Sequence, residues 1–364
     1  MNETRELLER VGERFDFPEQ AFEGLQRRRE RKQRNKRIAG GVVGIAVFVV
    51  MVLIATTAER FGPSFTPASS GPTATESTPA VLPALHRDYM INLNTGVLTP
   101  LPDAILRSLG EAENGGWESQ YAASSDGSQL AFVGTGDDGN RQIFTAGIDG
   151  ADVRQVTHDP TGARSPSWSP DGTKIAYGGG GWGQRSLFIL DVATGESTFI
   201  TDGVSDGWGT QFSPDGSSVL YTGLAPTGLG IMSVPVAGGR STLLINPEGS
   251  AEGEPTEAGA GSMSPDGSLI SFGGGRLEGG TSAGPWRWIA NADGTSARSL
   301  PCNYANSAGS WSPNGRRLSC VSASSESRRN ITVVDVITGD ASQVAEGYNS
   351  IWLDDHTLLV EVNG

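Results

Sequence analysis

The sequence predicts an all-β fold: a six-bladed β-propeller closed by its own N- and C-terminal strands and preceded by one transmembrane α-helix. Three observations carry this. A hairpin of the form SWSPDGTKIAY recurs down the chain, the two ends of the repeated region are complementary half-units, and 21 uncharged residues run from Ile38 to Ala58.

Residues 1–37 form a cytoplasmic basic segment with 11 basic and 8 acidic side chains. Leu7, Leu8, Val11 and Phe15, and then Phe22 and Leu25, fall at helical spacing. Two roles fit: an amphipathic stretch lying on anionic headgroups, or a docking helix for a cytoplasmic protein.

Residues 38–58, IAGGVVGIAVFVVMVLIATTA, match the roughly 20 residues a helix needs to cross the hydrocarbon core. The run RRRERKQRNKR before them holds eight basic residues, so the positive-inside rule puts the N-terminus in the cytoplasm and the rest outside. A cleaved signal peptide is the competing reading, but its apolar core spans only about 7–15 residues behind a short leader. Residues 59–83, rich in Pro, Ser and Thr, read as an extended spacer.

Residues 84–364 are the extracytoplasmic propeller. Its turn sentences are AASSDGSQLAF, SWSPDGTKIAY, QFSPDGSSVLY, SMSPDGSLISF, SWSPNGRRLSC and a degenerate IWLDDHTLLVE. Their turn residues Asp126, Asp171, Asp215, Asp266, Asn314 and Asp355 are 41 to 51 residues apart, the length of a four-stranded blade. Ser-Pro-Asp-Gly suits a type I turn: Pro presets the second position, Asp is tolerated at the third, and Gly accepts the left-handed conformation after it. A second hairpin alternates with the first, as in LFILDVATGESTFIT and ITVVDVITGDASQVA. The series opens on an orphan second hairpin (Tyr89–Leu101) and ends on an orphan first one (Ser350–Val362). Joined, they complete one blade and remove the exposed edges of an open array.

The SPDG hairpins, with the D-x-x-TG turns Asp191–Gly195 and Asp335–Gly339, resemble the WD-repeat-like β-propeller repeats of the TolB family over about residues 89–364. The resemblance implies a protein-binding extracytoplasmic propeller. The separate N-terminal globular domain of the periplasmic TolB protein has no counterpart in this sequence, which carries the apolar segment in its place, so the Tol partners do not transfer.

Catalytic chemistry finds little footing. GVSDG (Gly203–Gly207) and GTSAG (Gly280–Gly284) fit the nucleophile-elbow pattern but fall in expected inter-strand loops with no helix after them. His86, His158 and His356 are isolated, no zinc or EF-type spacing occurs, and no cofactor motif is present, so neither metal nor cofactor is expected. With 33 acidic against 16 basic residues beyond position 37, the outer part repels phosphate backbones, which excludes nucleic acid as its partner. Cys302 and Cys320, 18 residues apart, fit either a disulfide or two separate buried thiols.

What remains is surface. Aromatic and arginine side chains are the commonest interface hot spots, which selects Trp117, Arg164, Trp182, Arg185, Trp208, Tyr304 and Tyr348 in the irregular loops as the binding rim. The expected function is a non-catalytic, membrane-anchored, bacterial binding or sensing module for a protein, peptide or envelope glycan. The alternatives are a transmembrane regulator of anti-sigma-like layout with a cytoplasmic partner at residues 1–37, and a hydrolase with an unrecognised site.

Overall fold

A computed structural model describes residues 88–109, 121–180, 185–205, 209–226, 228–247, 253–278, 281–302, 309–323 and 329–362. They all lie in one compact unit. The expected cytoplasmic segment, membrane helix and spacer lie outside the described residues. Among the described residues no helix is long and apolar enough to cross a membrane.

The described residues open on β1 (Tyr89–Asn92), β2 (Leu98–Pro100) and a short helix α1 (Asp103–Leu109). Then come β3 (Tyr121–Ala123), β4 (Gln129–Thr135), β5 (Arg141–Gly147) and β6 (Arg154–Gln155). Next are β7 (Ala163–Trp168), β8 (Lys174–Gly179), β9 (Arg185–Asp191) and β10 (Ser197–Val204), followed by β11 (Gln211–Phe212), β12 (Ser218–Ala225), β13 (Gly228–Pro235) and β14 (Thr242–Ile245). β15 (Gly259–Met263), β16 (Leu269–Glu278), β17 (Thr281–Asn291) and β18 (Arg298–Ser299) precede β19 (Ser310–Trp311), β20 (Arg317–Ala323), β21 (Arg329–Asp335) and β22 (Ala341–Glu346). β23 (Asn349–Trp352) and β24 (Thr357–Glu361) end the chain.

These strands make an all-β, propeller-like fold of antiparallel four-stranded units: β3 to β6, β15 to β18 and β19 to β22 each form one sheet. β7 to β14 form a single eight-stranded sheet, its two halves paired at Val204↔Gly223. The remaining sheet runs β2-β1-β24-β23, so the first and last strands of the fold pair, from Tyr89↔Val360 to Asn92↔Thr357. The complementary ends expected from the sequence are thus joined by backbone hydrogen bonds. Apolar side chains fill the spaces between neighbouring sheets. Leu220, Ile231 and Ile245 meet Ile270, Phe272 and Trp288, for example, and Val321 and Ile331 meet Tyr89, Leu358 and Val360.

The SPDG turn explains its own recurrence. Gly172 N donates to Ser169 O at 2.9 Å, and Gly172 takes φ +69°, where an L side chain is strained. Asp171 Oδ1 accepts the Ser169 hydroxyl at 2.6 Å, Thr173 N at 3.0 Å and the Thr173 hydroxyl at 2.8 Å, while Ser169 Oγ accepts Lys174 N at 2.9 Å. The Ser before Pro and the Ser or Thr after Gly are therefore part of the device. In five copies the same register spans it: Ala123↔Leu130, Trp168↔Ile175, Phe212↔Val219, Met263↔Ile270 and Trp311↔Leu318. The degenerate copy is one residue shorter, Trp352↔Leu358, and has no glycine in its turn.

The D-x-x-TG turn is closed by its own carboxylate. Asp191 Oδ1 accepts Ala193 N and Thr194 N, and Asp335 Oδ1 accepts Ile337 N and Thr338 N. Both kinds of turn lie at the same end of the strands: Val192 N donates to Thr173 O, and ion pairs join Lys174 to Asp191 (3.3 Å) and Arg316 to Asp335 (2.7 Å). That end is regular. The opposite end carries the connections that differ from one unit to the next.

The turn carboxylates tie stability to pH. Asp126, Asp171 and Asp215 are each held down to about 2, first by the serine hydroxyl that opens the turn and then by the N–H after the glycine. A depressed carboxyl adds stability that is present above its ordinary range near 4 and lost as pH falls through about 2. Replacing all three by Asn is expected to make the acid-unfolding curve shallower between pH 4 and 2, read by circular dichroism; an unchanged curve would remove these turns from the acid response.

Helix α1 was not expected from the sequence. It inserts the fully buried Ile105 among Leu101, Leu130 and Leu359, and its Ser108 carbonyl lies where a side chain on Gly134 would be.

Candidate functional site

Two features could receive a ligand: a central cavity and the irregular end of the strands. The cavity has a volume of about 420 Å³ and is lined by β3, β7, β11, β15, β19 and β23, the innermost strand of each four-stranded unit, together with the serines and prolines that open the turns. Its wall is mostly Ser, Gly, Pro and Ala, with the rings of Trp168, Phe212, Trp311 and Trp352 and a few larger residues such as Gln211 and Met263.

The wall's polar groups are largely committed to one another. Ser167 Oγ accepts Phe212 N at 3.1 Å, Thr210 Oγ1 donates to Ser165 O at 2.9 Å, and Ser262 Oγ donates to Gly309 O at 2.7 Å. Trp311 Nε1 donates to Ser262 O (3.1 Å) and Trp352 Nε1 to Ser310 O (3.0 Å), repeating one tie between successive innermost strands. The titratable side chain in the lining is Tyr121, whose hydroxyl donates to the Asp88 carboxylate; burial first, and the Asp88 charge second, raise its pKa. Among the described residues that line it there is no imidazole, thiol, amine or carboxylate, the groups that usually serve as general base or activated nucleophile.

Of the expected rim residues, Trp117, Trp182, Trp208 and Tyr304 lie outside the described residues. Arg164 is half-buried within β7, beside Ser165, whose φ of +52° accompanies a register shift in the β7–β8 pairing. Arg185 corrects the loop reading: it is the first residue of β9, opposite Val204, and only 5% exposed. Tyr348 is half-buried in the bend between β22 and β23, with the Arg329 guanidinium 4.8 Å over its ring. Arg164 and Arg185 lie on β7 and β9 of one sheet, whereas Tyr348 follows the last strand of another. GTSAG is likewise corrected, since Thr281–Gly284 belong to β17 rather than to a loop.

Cys302 and Cys320 are joined by a disulfide and buried, linking the segment after β18 to β20. Among the described residues no group of three or more His, Cys, Asp or Glu is placed to hold a metal.

The irregular end holds residues the sequence reading missed. Among the described strands, those of the hairpin β16–β17, of ten and eleven residues, are the longest, and the hairpin β12–β13 has eight in each strand. The chain between them is laced in by Ala258 N to Leu229 O (3.0 Å) and Thr256 N to Gly275 O (3.0 Å). On this wall Arg276 lies 5.8 Å from the Trp286 ring centre and 3.5 Å from the Glu278 carboxylate, and Leu224 is 57% exposed. The available signal was repeat length: the two longest spacings between turn residues, 51 and 48, flank Asp266 at the base of β16.

Comparison with known proteins agrees with this architecture. A TolB beta propeller domain is matched over residues 112–283. A putative TolB from Agrobacterium tumefaciens superposes with a TM-score of 0.57 at 18% identity, over 75% of this chain and 97% of that one. TolB from Acinetobacter baumannii superposes at 0.54 and 16% identity over 76% of this chain, which spans 64% of that protein. An oligogalacturonate lyase from Vibrio parahaemolyticus aligns less closely, at 0.45 and 16% identity over 72% and 74% of the two chains. No curated protein matches the sequence. The matched domain, the sheet topology and the two TolB superpositions together show that the described residues have a β-propeller fold similar to that of TolB.

Proposed function

We propose that this chain is a non-catalytic, membrane-anchored binding or sensing module. In this reading the propeller has six blades, residues 38–58 hold it to a bacterial membrane with the N-terminus inside, and the irregular face recognises a protein, peptide or envelope glycan. The observation that carries the reading is the contrast between the two candidate sites: a central cavity whose described lining holds one phenol as its titratable group, and an irregular face with Arg276, Trp286 and Leu224 on the long hairpins. TolB-like propellers as a class suggest protein binding, and the buried disulfide fits an oxidising compartment.

The test uses the full chain in lipid nanodiscs, offered envelope proteins and cell-wall glycan fragments as separate probes. A specific ligand is expected to lose roughly tenfold or more in affinity with Arg276→Ala and Trp286→Ala combined, and to ignore Lys174→Ala on the regular face. Equal losses on both faces, or turnover of the fragments by the wild type, overturn the reading.

A further inference from the structure

The seam between the first and last strands carries two buried carboxyl groups that the proposed binding function does not use. Asp88, just before β1, is 8% exposed, and Glu361, the last residue of β24, is 7% exposed. The β1–β24 ladder brings them together across 273 residues of sequence.

Asp88 is fully engaged. Its Oδ1 accepts Val362 N at 2.8 Å, its Oδ2 accepts the Tyr121 hydroxyl, and its backbone carbonyl accepts Leu101 N at 3.1 Å. Glu361 is not. Its backbone is paired with β23 (Asn349↔Glu361) and its carbonyl accepts Tyr348 N, and its side chain meets the Asn349 amide, but Oε2 has no hydrogen-bond partner. Among the described residues neither carboxyl takes part in an ion pair.

The groups facing the pair come from every strand packed around it. Tyr121 approaches from β3 and Asn349 from β23. Tyr89 on β1 directs its hydroxyl to the Glu346 carbonyl of β22, with the Glu346 charge beside it. On β21 the guanidinium of Arg329 lies over the Tyr348 ring. Two adjoining carboxylates cannot both stay ionised in a dry site without a cation, so one binds a proton. The hydrogen bonds select which: Asp88 has two donors aimed at its carboxylate, whereas Glu361 has the free oxygen. Burial first, and the Asp88 charge second, push Glu361 up to about 8.

We propose that this seam is a proton-controlled latch: one proton on the Asp88–Glu361 pair holds the first and last strands together at the irregular mouth of the cavity, and its release to solvent in mildly alkaline medium loosens that mouth. The consequence for a sensing domain is a ligand face whose rigidity follows external pH. The inference concerns the seam alone and stands whether or not the irregular face binds a ligand.

A raised carboxyl pKa stabilises the fold fully below the unfolded value and loses that contribution as pH rises through the folded value. The window therefore runs from about pH 5 to about pH 8, opposite in direction to the turn aspartates. The full chain in nanodiscs, with chelator present, is unfolded by urea across this range. The wild type is expected to show an unfolding constant rising roughly tenfold per pH unit, the slope of one proton, and Glu361→Gln a flat response. Equal slopes in the two proteins overturn the latch. So does a wild-type slope abolished by adding calcium or magnesium while Glu361→Gln is indifferent to them, since the pair would then hold a metal ion. Should Glu361→Gln fail to fold, infrared titration of the wild type decides. A protonated carboxyl band present at pH 6 and lost near pH 8 supports the proposal; its absence at pH 6 sinks it.

Discussion

Gly127→Ala is expected to destabilise the protein by about 3 kcal/mol, while the equivalent Gly172→Ala one turn further on costs about 1–2 kcal/mol. The two glycines share a backbone conformation, φ +70° and +69°, so the left-handed strain of an alanine is common to both. Their surroundings differ. A Cβ on Gly172 would meet nothing within 4 Å, whereas one on Gly127 would sit 2.2 Å from the carbonyl oxygen of Leu353. That oxygen belongs to the last turn of the fold, and backbone held by the Trp352↔Leu358 pairing cannot retreat as a flexible side chain would. The excess cost of Gly127→Ala over Gly172→Ala, read from urea midpoints at constant slope, therefore measures how firmly the first turn is pressed against the last. Equal costs would show that this contact carries no load and that closure rests on the β1–β24 ladder alone.

The turn that Gly127 serves was legible because its constraints are local. Pro170, Asp171 and Gly172 each act within a few residues of their own position, so the motif spells its geometry wherever it occurs. Closure was legible for a related reason: an orphan hairpin at each end has one way to be completed. The side chains that closure brings together were not. Asp88 and Glu361 look like any two acids among 33 until the β1–β24 register sets them side by side.

Arg185 shows the opposite failure. Arginine in a Gly-rich stretch reads as exposed, but β9 begins at this residue and buries it. Arg287 is similar, fully buried in β17 with Nη1 donating to Ala260 O at 3.2 Å and its pKa lowered by burial to about 9. Strand limits decide such cases, and in a chain this rich in glycine local propensity fixes them poorly. Arg276 and Trp286 escaped because their partnership depends on how far one hairpin extends, a length that only cross-strand pairing sets.

Removing the disulfide is expected to cost about 3 kcal/mol, the loop-closure entropy of an 18-residue link. Cys302 and Cys320 are 0% and 2% exposed and pack with Leu300, Trp311, Leu318 and Val334, so the bridge staples the edge of one sheet to the second strand of the next, with β19 inside the loop. Burial makes the effect kinetic as well as thermodynamic. Mild reductant should leave the folded protein oxidised and act only when the two sheets part. The expected result is a wild type whose urea midpoint is unchanged after brief exposure to dithiothreitol in the native state but falls to that of the Cys302→Ala/Cys320→Ala variant after reduction in denaturant. The same cysteines test the orientation proposed for the chain. A bridge of this kind forms and persists where thiols are oxidised, so protein alkylated in its native membrane before denaturation should show both cysteines blocked against labelling. Two free thiols in that assay would place the propeller in a reducing compartment and reverse the proposed topology, because the basic run 27–37 and the propeller lie on opposite flanks of residues 38–58 and, with a single span, cannot share a side.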